Sequence, residues 1–185
     1  MACIAILGGT FDPVHNAHLA MGQAALAALR PGRMLWIPTG DPPYRSAPVA
    51  KAAHRVGMLR VALAGEPRHA IDERELASGA SGYSFDTVSA LRLETSAELV
   101  LLMGADQYAA LETWYRWREL RALARIAVFA RPGASPPGGD AQVIPMAPMR
   151  VSASAIRARL AAGQDVSGLL PAAVLAYIKA NGLYH

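Results

Sequence analysis

A doubly wound α/β fold, with a mainly parallel sheet covered by helices on both faces, is predicted by two features of the chain. Short, continuous apolar runs of strand length recur along it, as strands buried on both faces require. Helical segments separate these runs, which is the order that builds parallel sheets. A third feature narrows the chemistry: no G-x-G-x-x-G fingerprint follows the first run, which weighs against a dehydrogenase using a dinucleotide cofactor.

The elements follow in order. Cys3 to Leu7 is a short apolar run suited to a central strand. Gly8 and Gly9 then remove two side chains where that strand ends, so backbone N–H groups can approach an anion. Pro13 delays the next helix, expected from about Asn16 to Leu29. Arg33 to Pro38 reads as a second strand and Thr39 to Pro48 as a polar, proline-rich loop that could act as a lid. Ala50 to Ala64 is helical, Ala70 to Asp72 is a short strand, and Phe85 to Glu94 is helical. Glu98 to Met103 is a buried strand ending in Gly104, Trp114 to Leu123 is mixed but mainly helical, and Ile126 to Ala130 is another buried strand. Arg131 to Asp140 holds three prolines and three glycines, yet is too short to divide the chain, so residues 1–185 form one domain. Ser152 is a good N-cap for a last helix that Gly163 closes.

Composition sets further bounds. The 185 residues carry 18 Lys and Arg against 14 Asp and Glu, a net charge of +4 that favours anionic ligands. No basic stripe with interleaved aromatics suggests nucleic acid, and no run reaches the length of about 20 apolar residues that spans a bilayer. The start has no secretion-signal pattern, and Cys3, the single cysteine, cannot form an internal disulfide, so a cytoplasmic setting is expected. Oligomeric state stays open, a homo-oligomer included.

Two stretches carry chemistry. In Gly8-Gly9-Thr10-Phe11-Asp12-Pro13-Val14-His15-Asn16-Ala17-His18 a glycine turn leads to two histidines three apart at a helix start, where both rings can face one side beside the helix's positive end. Alone, Gly-Gly is a tight turn, and the histidine pair lacks a third ligand for a metal. In Val151-Ser152-Ala153-Ser154-Ala155-Ile156-Arg157, hydroxyls and a guanidinium stand at a helix N-terminus, a combination suited to β- and γ-phosphates. By itself this second stretch is a capped amphipathic helix.

Together they resemble the signature of the nucleotidyltransferase superfamily: a T/H-x-G-H element, here His15-Asn16-Ala17-His18 with Ala17 where the pattern has Gly, and an I-S-S-T-x-x-R element, here with two conservative replacements. Ile37-Pro38 through Pro42-Pro43, Asp72-Glu73-Arg74-Glu75-Leu76, Gly82-Tyr83-Ser84, Gly104-Ala105-Asp106, Thr113-Trp114-Tyr115 and Gly182-Leu183-Tyr184 are similar to the bacterial nicotinate-nucleotide adenylyltransferases across almost the whole chain. Two departures lie in the loop after the second strand, where that family often has Asn-x-x-Pro-Pro-His and this chain has Gly40-Asp41-Pro42-Pro43-Tyr44. The resemblance implies a Rossmann-like fold and adenylyl transfer from ATP to nicotinate mononucleotide, giving nicotinate adenine dinucleotide and pyrophosphate on the way to NAD.

It also implies roles. His15, His18 and Arg157 would be catalytic, the imidazoles donating to α- and β-phosphate oxygens and Arg157 holding the departing pyrophosphate. ATP would further meet Gly8, Gly9, Thr10 and Phe11 on the first turn, Gly104 and Asp106 beyond the fourth strand, and Ser152, Ser154 and Ile156 beside Arg157. Gly9 and Thr10 would also touch the mononucleotide. Trp114 would face the nicotinate ring, with Tyr83 and Ser84 opposite and the Ser84 hydroxyl and Tyr115 N–H on the carboxylate. Read as isolated residues, Trp114 and Tyr115 are core packing, and Asp106 is either a helix N-cap or a contact to ribose and metal-bound water. Asp72 to Glu75 reads as a solvated turn at the pocket rim. Mg²⁺ is expected on the nucleotide itself, with no protein metal site. Pantetheine-phosphate adenylyltransferases and cytidylyltransferases share the two phosphate elements. A metal-dependent phosphohydrolase could use the histidine pair, and a non-catalytic nucleotide sensor would bind ATP without releasing pyrophosphate.

Overall fold

Residues 3–40, 47–130 and 141–185 are described by the computed structural model. Among the described residues six strands form one sheet: β1 (Cys3–Gly9), β2 (Arg33–Pro38), β3 (His69–Ile71), β4 (Glu98–Gly104), β5 (Arg125–Ala130) and β6 (Gln142–Pro145). Their order is β3-β2-β1-β4-β5-β6, and every neighbouring pair is parallel. Strand order therefore reverses between β1 and β4, the crevice where open α/β sheets bind ligands.

Alternation along each strand assigns the two faces. Ala5 and Leu7 of β1, Met34 and Trp36 of β2, and Val100 and Leu102 of β4 pack into one core cluster. On that side lie α1 (Asn16–Leu29), α2 (Ala52–Ala62), α6 (Ala153–Ala161) and α7 (Ala172–Ala180), contributing Leu26, Leu59, Ile156 and Ile178. Ile6, Leu35, Leu99 and Leu101 point the other way, into a second cluster with α3 (Ser84–Glu94), α4 (Ala105–Ala109) and α5 (Trp117–Leu123). The doubly wound sheet read from the sequence is present, with helices on both faces.

The differences are local. β1 runs two residues past Leu7, because Gly8 and Gly9 still pair with Ile37 and Pro38. The segment from Trp114 splits: Arg116 takes a left-handed conformation at φ 51°, which breaks the helical path before α5. β6, α4 and α7 are additions to the elements expected from the sequence. β6 is four residues long and ends in proline, and α4 has five residues, both below the length at which periodicity speaks. The predicted linker 131–140 and Pro42, Pro43 and Tyr44 of the loop after β2 lie outside the described residues. Among the described residues no helix is long and apolar enough to cross a membrane.

Candidate active site

The glycine turn is built where β1 ends. Phe11 has φ 51° and is 1% exposed; its ring sits edge-on to His18, with centroids 5.0 Å apart, and against Trp36 at 5.6 Å. A Cβ on Gly9 would lie 2.9 Å from that ring, so Gly9 is required by the inward fold of Phe11. Gly8, by contrast, faces open space. Only the backbone of Phe11 remains for a ligand.

His15 is the N-cap of α1 and His18 its third residue, and their rings stack at 3.7 Å with 17° between planes. The His15 backbone N–H donates to His18 Nδ1 at 3.3 Å. An accepting Nδ1 fixes the neutral tautomer that carries its proton on Nε2, leaving that N–H as a donor. Burial pushes His15 down to about 4, a backbone hydrogen bond opposing it in part. Burial, and then the charge of His15, pushes His18 down to about 3. Both imidazoles are therefore neutral donors at pH 7. Ala17, the departure from the superfamily pattern, is 8% exposed, so its methyl group sits in packed protein.

The second motif meets the first. Arg157 Nη1 donates to the Asp12 carbonyl at 2.7 Å, linking positions 145 residues apart. Ser152 caps α6, its Oγ accepting from Ala155 N–H at 3.3 Å, and Ser154 Oγ lies 3.3 Å away; both serines are exposed. Ile156, also expected at ATP, presents neither side chain nor N–H at the surface. Its side chain is fully buried and its N–H is spent on the Ser152 carbonyl at 3.1 Å, because the i→i−4 ladder has already begun there.

Beside the turn a cavity of about 390 Å³ opens between the ends of β1 and β4 and the start of α3. Gly8, Gly9, Tyr83, Ser84, Trp114 and Tyr115 are among the residues that line it. Tyr83 and Tyr115 are 4.7 Å apart, ring to ring. Every residue expected at the mononucleotide except Thr10 lines this one space, and Thr10 adjoins Gly9.

Two expectations need correction. Asp106 is not an N-cap: Gly104 holds that position, its N–H donating to Gln107 Oε1 at 3.1 Å, and Asp106 is an exposed residue of the first turn. Nor is Asp72 to Glu75 wholly solvated. Glu75 is 8% exposed, lines the cavity and accepts from Thr87 Oγ1 at 2.6 Å, while Asp72 pairs with Arg74 at 2.7 Å.

Sequence reasoning also missed Arg55, 1% exposed on α2. Its Nη1 donates to the carbonyls of Thr10 at 2.9 Å and Thr39 at 2.7 Å, clamping the turns after β1 and β2 together. An arginine within a helix of mixed composition reads as solvated, and only the unsatisfied carbonyls of remote turns explain it.

Comparison with known proteins gives the chain's relatives. Residues 6–159 match the cytidylyltransferase-like family model. A Bordetella petrii protein named "Probable nicotinate-nucleotide adenylyltransferase" is 43% identical over 197 residues, covering 100% of both chains. A protein of the same name from Laribacter hongkongensis is 41% identical over 206 residues, covering 98% of this chain and 94% of its own. The solved Plasmodium falciparum nicotinic acid mononucleotide adenylyltransferase complexed with NaAD superposes at a TM-score of 0.80, with 17% identity over 100% of this chain and 98% of that one, a likeness of fold.

Proposed function

The chain belongs to the cytidylyltransferase-like family and, within it, to the nicotinate-nucleotide adenylyltransferases, and from that premise we propose how its residues transfer an adenylyl group from ATP to nicotinate mononucleotide. One observation carries the assignment of parts: Gly8 and Gly9 belong both to the phosphate turn and to the wall of the aromatic cavity. A mononucleotide lying across them would put its ring among Tyr83, Trp114 and Tyr115 and its phosphate beside His18.

A phosphate oxygen of the mononucleotide attacks the α-phosphorus of ATP in line. The new P–O bond forms as the bond from Pα to the bridging oxygen breaks, and pyrophosphate leaves with that electron pair. The attacking oxygen is already anionic, so the chain needs no strong base; it needs position and charge stabilisation. His18 Nε2–H would donate to the α-phosphate oxygens as charge builds, with His15 stacked behind it. Arg157, steered by the Asp12 carbonyl, would hold the β- and γ-phosphates with its remaining N–H groups. Thr10 would orient the phosphates through its hydroxyl and amide, and Ser152 and Ser154 would offer hydroxyls at the α6 N-terminus. The Ser84 hydroxyl and Tyr115 N–H would meet the nicotinate carboxylate.

Magnesium carried in on ATP supplies neutralisation of the triphosphate charge. The donors at the turn are imidazoles, hydroxyls and a guanidinium, which suit phosphate oxygens; the exposed Asp106 carboxylate would reach such an ion through water. Every other contact falls to the residues above.

A pyrophosphate-release assay tests the reading, with ATP or CTP crossed against nicotinate mononucleotide, nicotinamide mononucleotide and phosphopantetheine. Turnover is expected with ATP and nicotinate mononucleotide. Faster release with another pair would reassign the substrate, and no release with any pair would leave a nucleotide-binding protein.

A further inference from the structure

We infer that Tyr184, the penultimate residue, is a positioning residue of the phosphate site, acting through Asp12 on Arg157. Asp12 stands three residues before His15 and is 3% exposed. Its carboxylate accepts from Val49 N–H at 2.7 Å, Ala50 N–H at 3.1 Å and the Tyr184 hydroxyl at 2.6 Å. Its carbonyl accepts a hydrogen bond from Arg157 Nη1 at 2.7 Å, and that nitrogen lies 3.9 Å from the carboxylate. One buried residue thus gathers the phosphate turn, the segment entering α2, the α6 arginine and the end of the chain.

Local structure explains how the terminus arrives. After α7 the chain reverses through Gly182 at φ 56°, with Leu183 N–H on the Ile178 carbonyl at 3.1 Å, the bond pattern of a glycine-closed helix. Tyr184 itself sits at φ 66°, a conformation unfavourable for a bulky residue and kept only where its surroundings demand it. The ring joins the core, which packing alone would account for. Packing does not account for the hydroxyl, which lies 2.6 Å from a buried carboxylate. Burial, and then Asp12, push that hydroxyl far above the usual tyrosine range, so it stays a donor.

A carboxylate held by three donors from remote segments makes Asp12 an anchored point, and Arg157 is hung from the carbonyl of that same residue. Removing the Tyr184 hydroxyl frees Asp12 to turn toward Arg157 and form a closer ion pair. The guanidinium is then drawn away from the triphosphate.

This role rests on the assignment of Arg157 to the triphosphate given above. The test is calorimetric titration of the 185-residue chain with MgATP, and separately with nicotinate mononucleotide, for the parent, Tyr184→Phe, Arg157→Lys and the double variant. Tyr184→Phe is expected to raise the MgATP Kd about tenfold, the scale of one hydrogen bond to a charged group, with the mononucleotide Kd within about twofold of the parent. The double variant is expected to bind MgATP no more weakly than Arg157→Lys alone, because coupled residues are not additive. Parent-like MgATP binding by Tyr184→Phe, additive losses in the double variant, or equal weakening of both ligands overturns the role. An Arg157→Lys chain that binds MgATP like the parent removes the arginine assignment as well, so the two failures are told apart. Should Tyr184→Phe melt below the assay temperature, amide exchange in the parent replaces it: MgATP is expected to slow exchange at Val49 and Ala50, and unchanged exchange overturns the role.

Discussion

The phosphate turn and the aromatic cavity share Gly8 and Gly9 yet are held by different means. At the turn, Asp12, His15 and Arg55 are buried, and Asp12 and Arg55 tie distant segments together through hydrogen bonds of 2.6 to 3.1 Å. In the cavity, ring lies against ring, Tyr83 to Tyr115 at 4.7 Å and Phe85 to Tyr115 at 6.0 Å, and Tyr115 is 49% exposed. Charge stabilisation depends on donors fixed before the reaction, whereas holding a flat ring depends on dispersion spread over many atoms. The turn should therefore fail steeply when altered, and the cavity gradually.

The steepest failure is expected at His18. Replacing it with alanine removes a donor from the site of developing charge, a loss of about 3 to 4 kcal/mol or two to three decades in kcat. Steady-state rates at saturating substrate check this, and near-normal turnover would place the turn on the same footing as the cavity. Next comes the clamp behind the turn. Arg55→Met keeps the apolar stem but strands the carbonyls of Thr10 and Thr39, and should lower unfolding free energy by about 2 to 4 kcal/mol in urea titration.

The cavity gives the smaller functional effect. Trp114→Ala is expected to raise the KM for nicotinate mononucleotide about tenfold, near 1.4 kcal/mol, with the KM for ATP unchanged. Trp114→Phe should recover most of that loss, since a ring face remains. If the ATP KM moved equally, the two regions would be one mechanical unit.

The same contrast explains what the sequence made legible. Strands β1, β2, β4 and β5 could be read because apolar runs are local signals, and α1 is bounded by Asn16 and Leu29 as expected. The two motifs were legible as strings, and their meeting at Asp12 and Arg157 followed from where parallel strands end. What could not be read was each group whose partner is remote: Arg55 on Thr10 and Thr39, Glu75 under Thr87, Tyr184 on Asp12. A polar residue alone in sequence looks solvated until the carbonyl or carboxylate it answers is brought to it. The burial of Ile156 was equally hidden, because a string match carries no account of which side of α6 faces the core.

Titration sharpens the comparison by the smallest margin. His15 and His18 are held at about 4 and about 3 in the folded chain, against about 6.5 when unfolded. The unfolded chain therefore binds more protons below that pH, and stability falls as pH drops from 6.5 toward 4, while above it these groups contribute nothing. At pH 6 the loss is about 0.8 kcal/mol per imidazole, and it grows with further acidification. Urea titrations at pH 7.5 and 6 should show this loss in the parent and in Trp114→Ala alike, and a smaller one in a chain carrying His15→Asn and His18→Gln. Equal losses in all three would mean that the imidazoles titrate normally. The neutral, Nε2-protonated donor that the turn supplies at pH 7 would then no longer follow from its packing.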